Sequence, residues 1–350
     1  MPVKMNFKNT GKNLNYFKII VYLFCMILLF LIYINPSAAE ENLIYNRPGP
    51  ENKPTEVKIG VIALDIENID GATQTFTANV FMILQWEDLR LVNATKANRP
   101  LNLTDVWNPR IQIVNQRKLF KTYPDVVEIS PEGIVSYIQR YWGTFAYPMN
   151  LKDFPLDGHS FEIKIVTSAS DFDNIKFVID EENTGIGDPL TVTDWKILKW
   201  ELFPTSIHIA EGLTTLTGVV YKFEGKRLLG FYIIKVLLPL AMIIFMSWII
   251  FFVNPVHVGP KISIAITAML TLIAYRFLLG NFLPKISYIT RMDYFLLGSS
   301  FLVFGVLIQT AITAKLTENE KLESAKAVDF WSRIIFPIFF VLIILASFFV

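Results

Sequence analysis

Cysteine is nearly missing from this sequence, because Cys25 is the only one among 350 residues. Cys25 lies in an apolar N-terminal run, so the rest of the chain has no cysteine for a disulfide or a metal site. The three histidines, His159, His208 and His257, are scattered and lack the spacing of a metal-ligand motif. We therefore expect no bound metal and no cofactor.

A strong net charge is also missing, since the formal net charge is +1. No basic segment indicates a nucleic-acid partner. The sequence contains no nucleophile elbow, no HExxH, no P-loop and no relay of carboxylates within an apolar segment. These absences argue against a nucleic-acid-binding protein and against an enzyme.

Apolar residues, in contrast, make up 53% of the chain. Four apolar stretches in the C-terminal part are each about long enough to cross a bilayer as a helix. They are residues 228–253, 261–283, 294–316 and 334–350. Pro239 in the first stretch would free a backbone carbonyl and permit a bend. We expect a multi-pass protein of the cell membrane (inner or plasma membrane) that contacts lipid, with a short cytoplasmic loop at residues 317–329.

The N-terminus is typical of a signal peptide. Residues 1–39 contain four lysines and no acid, an apolar run from Tyr16 to Ile34, and the small residues Ser37-Ala38-Ala39 at the expected cleavage site. Because the run is long, an uncleaved signal anchor is the alternative. In both cases residues 40–226 would lie outside the cell or in the periplasm, ahead of a transmembrane domain at residues 227–350.

Residues 40–226 alternate apolar and polar side chains with a period of two, which predicts half-buried strands. The longest example has Phe76, Ala78, Val80, Met82, Leu84 and Trp86 on one face. Turn sequences such as Asp70-Gly71 and Pro131-Glu132-Gly133 separate the strands. This pattern predicts an antiparallel β-sandwich.

The second apolar stretch carries a stripe of residues spaced by three or four positions, which places them on one face of a helix. The stripe consists of Ser263, Thr267, Leu270, Ala274, Phe277 and Asn281. Rings of hydroxyls could replace part of an ion's hydration, and a ring of leucines could close a pore by excluding water. Alternatively, Ser and Thr could bond to their own helix carbonyls in an ordinary bundle.

Five segments, in order along the chain, resemble the pentameric ligand-gated ion channels, the Cys-loop receptor superfamily. They are Asn79–Asp88, Trp107-Asn108-Pro109, Phe154-Pro155-Leu156-Asp157, Arg227 with Pro239, and Leu283–Tyr288. The resemblance implies a homopentamer around a central pore that conducts monovalent ions. Each subunit would have an extracellular ligand-binding β-sandwich and four transmembrane helices, the second of which lines the pore.

The sequence departs from the family pattern at the loop that gives the superfamily its name. Tyr147 and Phe161 stand where the two cysteines would be, as in bacterial members. Apolar packing must therefore hold this loop in place of a disulfide. Arg110 stands where many members have Asp after the Trp-x-Pro signature.

The resemblance places this loop at the membrane end of the sandwich, where Asp157 would pair with Arg227. The residues assigned to coupling are Asp65, Glu67, Asp70, Phe154, Pro155, Asp157, Arg227, Pro284 and Lys285. The three residues from the first strand would supply a further acid. A pair in a partly dry interface could transmit motion, whereas a solvated surface pair would contribute under about 1 kcal/mol.

Agonists of the family bind between neighbouring sandwiches, where aromatic rings hold a cation. The positions carried over are Phe81, Val114 and Ser168, and of these only Phe81 supplies an aromatic ring, so a choline-type agonist is disfavoured. The basic residues Arg117, Arg140 and His208 would instead suit a small anion. A proton-gated channel is the alternative, with Asp65 or His159 as a pH sensor. The agonist, a small molecule or a proton, stays undetermined.

The cytoplasmic mouth of the pore helix reads Gly259-Pro260-Lys261, and residues 254–292 contain no acid. Five exposed lysines would favour anions. If Lys261 instead points behind the helix, as it often does in the family, conduction would be cation-selective or weakly selective. A non-conducting membrane-anchored β-sandwich sensor is the alternative from a different class, and the polar stripe argues against it.

Overall fold

The computed structural model describes residues 21–24, 26–27, 46–93, 97–168, 174–208, 215–280 and 286–349. The described part consists of a β-sandwich followed by a bundle of long apolar helices. The signal-peptide prediction for residues 1–39 falls mostly outside the described residues, and so it stays a prediction.

Two sheets form the sandwich. Their strands are β1 (Thr55–Asp70), β2 (Thr75–Glu87), β3 (Arg99–Asn102), β4 (Ile111–Ile113), β5 (Gln116–Lys121), β6 (Val126–Ile129), β7 (Ile134–Ala146), β8 (Gly158–Thr167), β9 (Ile175–Ile179), β10 (Gly185–Ile186), β11 (Trp195–His208) and β12 (Thr215–Arg227). The larger sheet has the order β10-β1-β2-β7-β6-β3, with β5 also on β7 and β9 also on β1. The smaller sheet has the order β11-β12-β8-β4.

Strand β2 illustrates why the sequence forms a sandwich. Its even-numbered residues from Phe76 to Trp86 are at most 2% exposed, while its odd-numbered residues Thr77, Asn79 and Phe81 are half-buried on the other face. Burial of one apolar face per strand supplies the main stabilising free energy of such a sheet. The predicted β-sandwich is confirmed, and its strands pair antiparallel except for β9 and β10, which both run parallel to β1.

Four helices follow the sandwich among the described residues: α1 (Gly230–Phe252), α2 (Val258–Leu279), α3 (Arg291–Glu318) and α4 (Leu322–Phe348). Each is long and apolar enough to cross a bilayer. The prediction of four membrane-spanning helices behind the sandwich is confirmed.

Helix α1 is irregular at Pro239. Residues Ile233–Leu237 form a π-helical turn directly before it. Since proline has no N–H, it cannot bond to the carbonyl four residues earlier, which belongs to Lys235. The Tyr275 hydroxyl of α2 lies 3.1 Å from this carbonyl oxygen and 2.8 Å from that of Val236. The Tyr275 hydroxyl thus ties α2 to α1 at the carbonyl that Pro239 cannot bond.

The connection between α3 and α4 is shorter than the sequence analysis expected. Residues 317–329 were expected to be a loop, and this is wrong, because only Asn319–Lys321 separate the two helices. Residues 317–333 contain no proline or glycine that would end a helix. The apolar stretch at residues 334–350 predicts the part of α4 that crosses the membrane, but it does not predict that the helix begins at Leu322.

Candidate functional site

The loop between β7 and β8 joins the sandwich to the helices. Tyr147 and Phe161 flank it, and their ring centroids are 5.0 Å apart. Phe161 also stacks on Phe223 at 5.1 Å and packs edge-on against Trp195 at 5.4 Å. Such aromatic pairs contribute about 0.5–1.5 kcal/mol each beyond area burial. Apolar packing therefore holds the loop at the two positions where the resemblance implies cysteines.

A buried ion pair lies between the end of this loop and the start of the helices. Arg227 ends β12, and its Nε and Nη2 donate to Asp157 Oδ1 and Oδ2 at 2.8 and 3.0 Å. The two side chains are only 4% and 2% exposed. Bidentate, charge-assisted hydrogen bonds are among the strongest in proteins. Because both charges are removed from water, loss of one partner would leave the other uncompensated.

Aromatic rings surround the guanidinium of Arg227. Its carbon lies 4.3 Å from the ring centroid of Trp195, 5.0 Å from that of Phe154 and 5.9 Å from that of Tyr232. Trp195 begins β11, Phe154 belongs to the β7–β8 loop, and Tyr232 lies in the first turn of α1. Cation–π contacts of this kind are strongest when water is excluded. One side chain thus contacts three parts of the chain that meet at the junction.

Two hydrogen-bond donors hold the charge on Asp157. Burial alone would raise the pKa of this carboxyl, but hydrogen bonds from His159 and Arg227 outweigh burial and keep the pKa below its ordinary value. His159 Nε2 lies 2.9 Å from Asp157 Oδ2. Burial alone would lower the pKa of the Arg227 guanidinium. The hydrogen bonds and the charge of Asp157 raise this pKa by more than burial lowers it, so the net shift is upward.

The loop also bonds directly to the segment before α3 and to the first turn of α3. The Leu151 amide donates to the Tyr288 hydroxyl at 2.8 Å. The Arg291 amide donates to the Lys152 carbonyl at 3.0 Å, and Arg291 Nε donates to Asp153 Oδ1 at 2.6 Å. The bond to Lys152 satisfies the backbone N–H of Arg291, which has no partner within α3 because it lies in the first turn. A displacement of the loop would therefore act on α1 through Arg227 and on α3 through Arg291.

The assignment of a further acid from β1 is corrected by the structure. These three acids accept hydrogen bonds from other residues: Asp65 from Thr191, Glu67 from Trp142 and Asp70 from Ala72. The further acid is instead Asp194, whose Oδ2 lies 3.9 Å from Arg227 Nη1. Phe154 and Pro155 are buried in the β7–β8 loop, and their role in coupling stays a prediction. Pro284 and Lys285 lie outside the described residues.

Helix α2 is buried on one side only. Within residues 258–280 the predicted stripe is exposed at Ser263, Thr267 and Ala274, with Leu270 at 61% and Phe277 at 78% exposure. The residues packed against the rest of the chain are Lys261, Ala265, Ala268, Leu272 and Leu279. Asn281 lies outside the described residues. The stripe therefore faces away from the other helices of its own chain.

The Thr267 hydroxyl donates to the Ser263 carbonyl at 2.8 Å, as the alternative of bonding within the helix requires. This bond uses the hydroxyl proton and leaves the oxygen able to accept from water or to coordinate a cation. Bonding within the helix and exposure of a polar oxygen therefore occur together at Thr267.

Of the two orientations that the sequence left open for Lys261, the structure has the one behind the helix. Lys261 Nζ lies 2.6 Å from Asp329 Oδ2, and both side chains are 2% exposed. Gly259 and Pro260 are exposed at the start of α2. The predicted anion preference depended on an exposed Lys261 in each subunit, and in this structure Lys261 is buried.

The six candidate ligand-binding residues do not cluster within one chain. Phe81 and Arg140 pair across β2 and β7, and Phe81 packs edge-on against Tyr123 at 5.6 Å. Arg117 lies on β5 of the same sheet. The other three, Val114, Ser168 and His208, lie on or beside the smaller sheet. The ligand site expected between neighbouring sandwiches therefore stays a prediction.

Sequence reasoning missed the roles of Trp195, Tyr288 and Asp329. Trp195 stands opposite Arg227 in the β11–β12 pairing, which only the strand register reveals. Tyr288 belongs to a segment that was matched by resemblance, but its hydroxyl was given no partner. Asp329 could have been noticed as an acid within a segment that lacks any helix breaker.

Comparison with known proteins agrees with this architecture. Among the described residues, a β-sandwich ahead of four helices that are long and apolar enough to cross a bilayer is the architecture of a multi-pass membrane protein with a folded domain before its first span. Family models match in the same order: the neurotransmitter-gated ion-channel ligand binding domain over residues 43–211, and the neurotransmitter-gated ion-channel transmembrane region over residues 236–323. The chain belongs to the neurotransmitter-gated ion-channel family, the pentameric ligand-gated ion channels, which are channels and not enzymes.

A relative in Gloeobacter violaceus is a proton-gated ion channel. It is 24% identical over 325 residues, which cover 91% of this chain and 90% of that protein. The similarity therefore extends over both the sandwich and the helices.

Proposed function

We propose that this chain is the subunit of a homopentameric ion channel in which the exposed stripe of α2 lines the pore. The observation that carries the proposal is the one-sided burial of α2. Its packed face joins the subunit's other helices, while two hydroxyls, Leu270, Ala274 and Phe277 have no cover within the chain. Five such faces turned inward would form a path of polar and apolar rings.

A comparison with α4 supports this orientation over a lipid-facing one. The exposed side chains in the second half of α4 include Ile338, Phe339, Val341, Leu342 and Leu345, all of them apolar. Such a surface suits lipid, whereas exposed hydroxyls are better placed against water or a neighbouring subunit. We therefore assign α4 to the lipid and the stripe of α2 to the pore.

The charged groups of α2 lie away from the stripe. At 100° per residue, Lys261 and Arg276 fall roughly opposite its centre. Lys261 pairs with Asp329, and Arg276 Nη1 donates to Ser300 Oγ of α3 at 3.1 Å. With neither cation on the pore face, the support for a strong anion preference is lost, and we expect weak charge selectivity.

Current recording from the purified full-length protein in planar bilayers tests the channel assignment. Unitary currents that begin on addition of agonist or acid are the expected result. A pentamer that is folded by circular dichroism and conducts under none of these conditions would favour the non-conducting sensor.

Protons are the agonist that one observation favours. The relative in Gloeobacter violaceus is proton-gated, and His159 is 7% exposed with Nε2 beside Asp157. Imidazole is the side chain whose charge ordinarily changes between about pH 5 and pH 8. The other titratable groups around it are Tyr147, whose ring centroid lies 6.3 Å away, and Arg227 across the shared carboxylate. A proton on His159 would make it compete with Arg227 for Asp157.

His159→Gln is expected to abolish most of the current evoked by stepping the outer solution from about pH 7 to about pH 5. Glutamine can still donate to Asp157 but cannot take up a proton. The matched control is His257→Gln, because His257 is exposed and precedes α2 at the other end of the bundle. Current that keeps its pH dependence in His159→Gln would exclude His159 as the sensor and make Asp65, the other candidate, the next residue to replace.

A further inference from the structure

A second buried ion pair lies at the start of α2. Lys261 Nζ donates to both carboxylate oxygens of Asp329 on α4, at 2.7 and 2.6 Å. Gln309 on α3 donates its Nε2 to Asp329 Oδ1 at 2.8 Å and is itself 6% exposed. One carboxylate thus joins three helices at the end of the bundle opposite the β7–β8 loop.

This position is unfavourable for a lysine without a partner. Lys261 lies in the first turn of α2, where the helix dipole opposes a positive charge. Ala265, one turn further along α2, belongs to a buried apolar cluster with Ile250 and Val306. A buried ammonium without a counterion would either lose its proton or swing its flexible stem toward water. Asp329 therefore keeps the charge both neutralised and behind the helix.

We propose that Asp329 determines the charge selectivity of the pore by cancelling and anchoring Lys261. This inference depends on the proposed function, in which α2 lines the conducting path. In the assembled channel the mouth would hold five Lys261–Asp329 pairs with no net charge. Loss of the carboxylate would convert them to five positive charges that can turn toward permeating ions.

The test is a double-substitution cycle of Asp329→Asn and Lys261→Gln, read out as reversal potential under a KCl gradient. Five uncompensated charges at the mouth of the pore, at about 0.15 M salt, should change the chloride-to-potassium permeability ratio by about threefold or more. Asp329→Asn should raise the ratio, Lys261→Gln should lower it, and the double variant should return it to that of the unsubstituted channel.

The matched control is Glu323→Gln on the same helix. Glu323 pairs with Lys326 in solvent, at side-chain exposures of 87% and 49%, so its charge is screened. A shift in Glu323→Gln as large as in Asp329→Asn would overturn the inference. So would two single variants that assemble, conduct and keep the original reversal potential. If the unsubstituted protein carries no current, the channel assignment fails first and this inference fails with it.

Discussion

Replacing Asp157 with alanine is expected to destabilise the subunit by about 3–5 kcal/mol, the range for breaking a buried ion pair on one side only. Arg227 would keep its charge at a side-chain exposure of 4%, with Asp194 at 3.9 Å as its remaining acid. Both side-chain bonds from Arg227 to the β7–β8 loop would be lost, whereas the bond from the Arg227 amide to the carbonyl of residue 157, at 3.2 Å, does not depend on the side chain. We therefore expect a lower thermal midpoint in detergent and agonist-evoked currents reduced far more than agonist binding.

The same loop supplies a matched control in Asp153→Ala. Asp153 pairs with Arg291 at 2.6 Å, but its side chain is 61% exposed, so the expected loss is under about 1 kcal/mol. The double variant Asp157→Ala with Arg227→Met should recover part of the stability, because no uncompensated charge remains. A double variant whose loss equals the sum of the two single losses would mean that the residues do not interact. Exchanging the two charges should recover less, since an aspartate at 227 cannot stack on Trp195.

The pH dependence of this pair has a definite sign. The pKa of Asp157 is lower in the folded chain than its ordinary value. Its stabilisation is therefore present above about pH 4, the ordinary range of an aspartate, and is lost progressively as the pH falls from there through the lowered value. Acid activation near neutral pH cannot come from Asp157 itself, and this is why His159 is the group to test.

Leu270→Ser is expected to give a channel that leaks without agonist. Leu270 is the bulkiest residue at the middle of the exposed stripe, and a ring of five leucines would exclude water from the closed pore. Even about 0.5 kcal/mol per subunit, a fraction of the transfer free energy of leucine, would shift the equilibrium roughly 60-fold toward open over five subunits. The measurement is resting conductance in the absence of agonist.

Leu272→Ser is the control for this substitution. Leu272 is 2% exposed on the packed face, so its replacement should lower stability and leave the resting conductance low. If Leu270→Ser has normal resting conductance while Leu272→Ser leaks, the assignment of the pore face is reversed. If neither leaks, the gate lies elsewhere on the stripe, and Phe277 is the next residue to test.

The sequence predicts those features that depend on local periodicity. The alternation from Phe76 to Trp86 predicts a strand with one buried face, and the spacing of Ser263, Thr267 and Leu270 predicts residues on one helical face. Both follow from the fixed repeats of strands and helices. The Asp157–Arg227 pair could be placed only through the family resemblance, because 70 residues separate its members.

Partnerships between distant segments could not be predicted from the sequence. The sequence around Lys261 is compatible with a side chain that points into a pore and with one that points toward Asp329, which lies 68 residues away along the chain. The choice is made by how α2 and α4 pack. Glu67 was assigned to the junction on its charge, whereas the strand pairing brings it to Trp142. Charge identifies residues that need a partner, and packing decides which partner they find.

Cysteine accessibility along α2 tests the central claim most directly. Cys25 is the only native cysteine, so Thr267→Cys in a Cys25→Ser background carries a single reactive thiol. If the exposed stripe lines the pore, a charged, water-soluble thiol reagent should block most of the current through Thr267→Cys. Ala268→Cys, whose position is 0% exposed on the packed face, should be unaffected. Block of Ala268→Cys with no effect on Thr267→Cys would contradict the account.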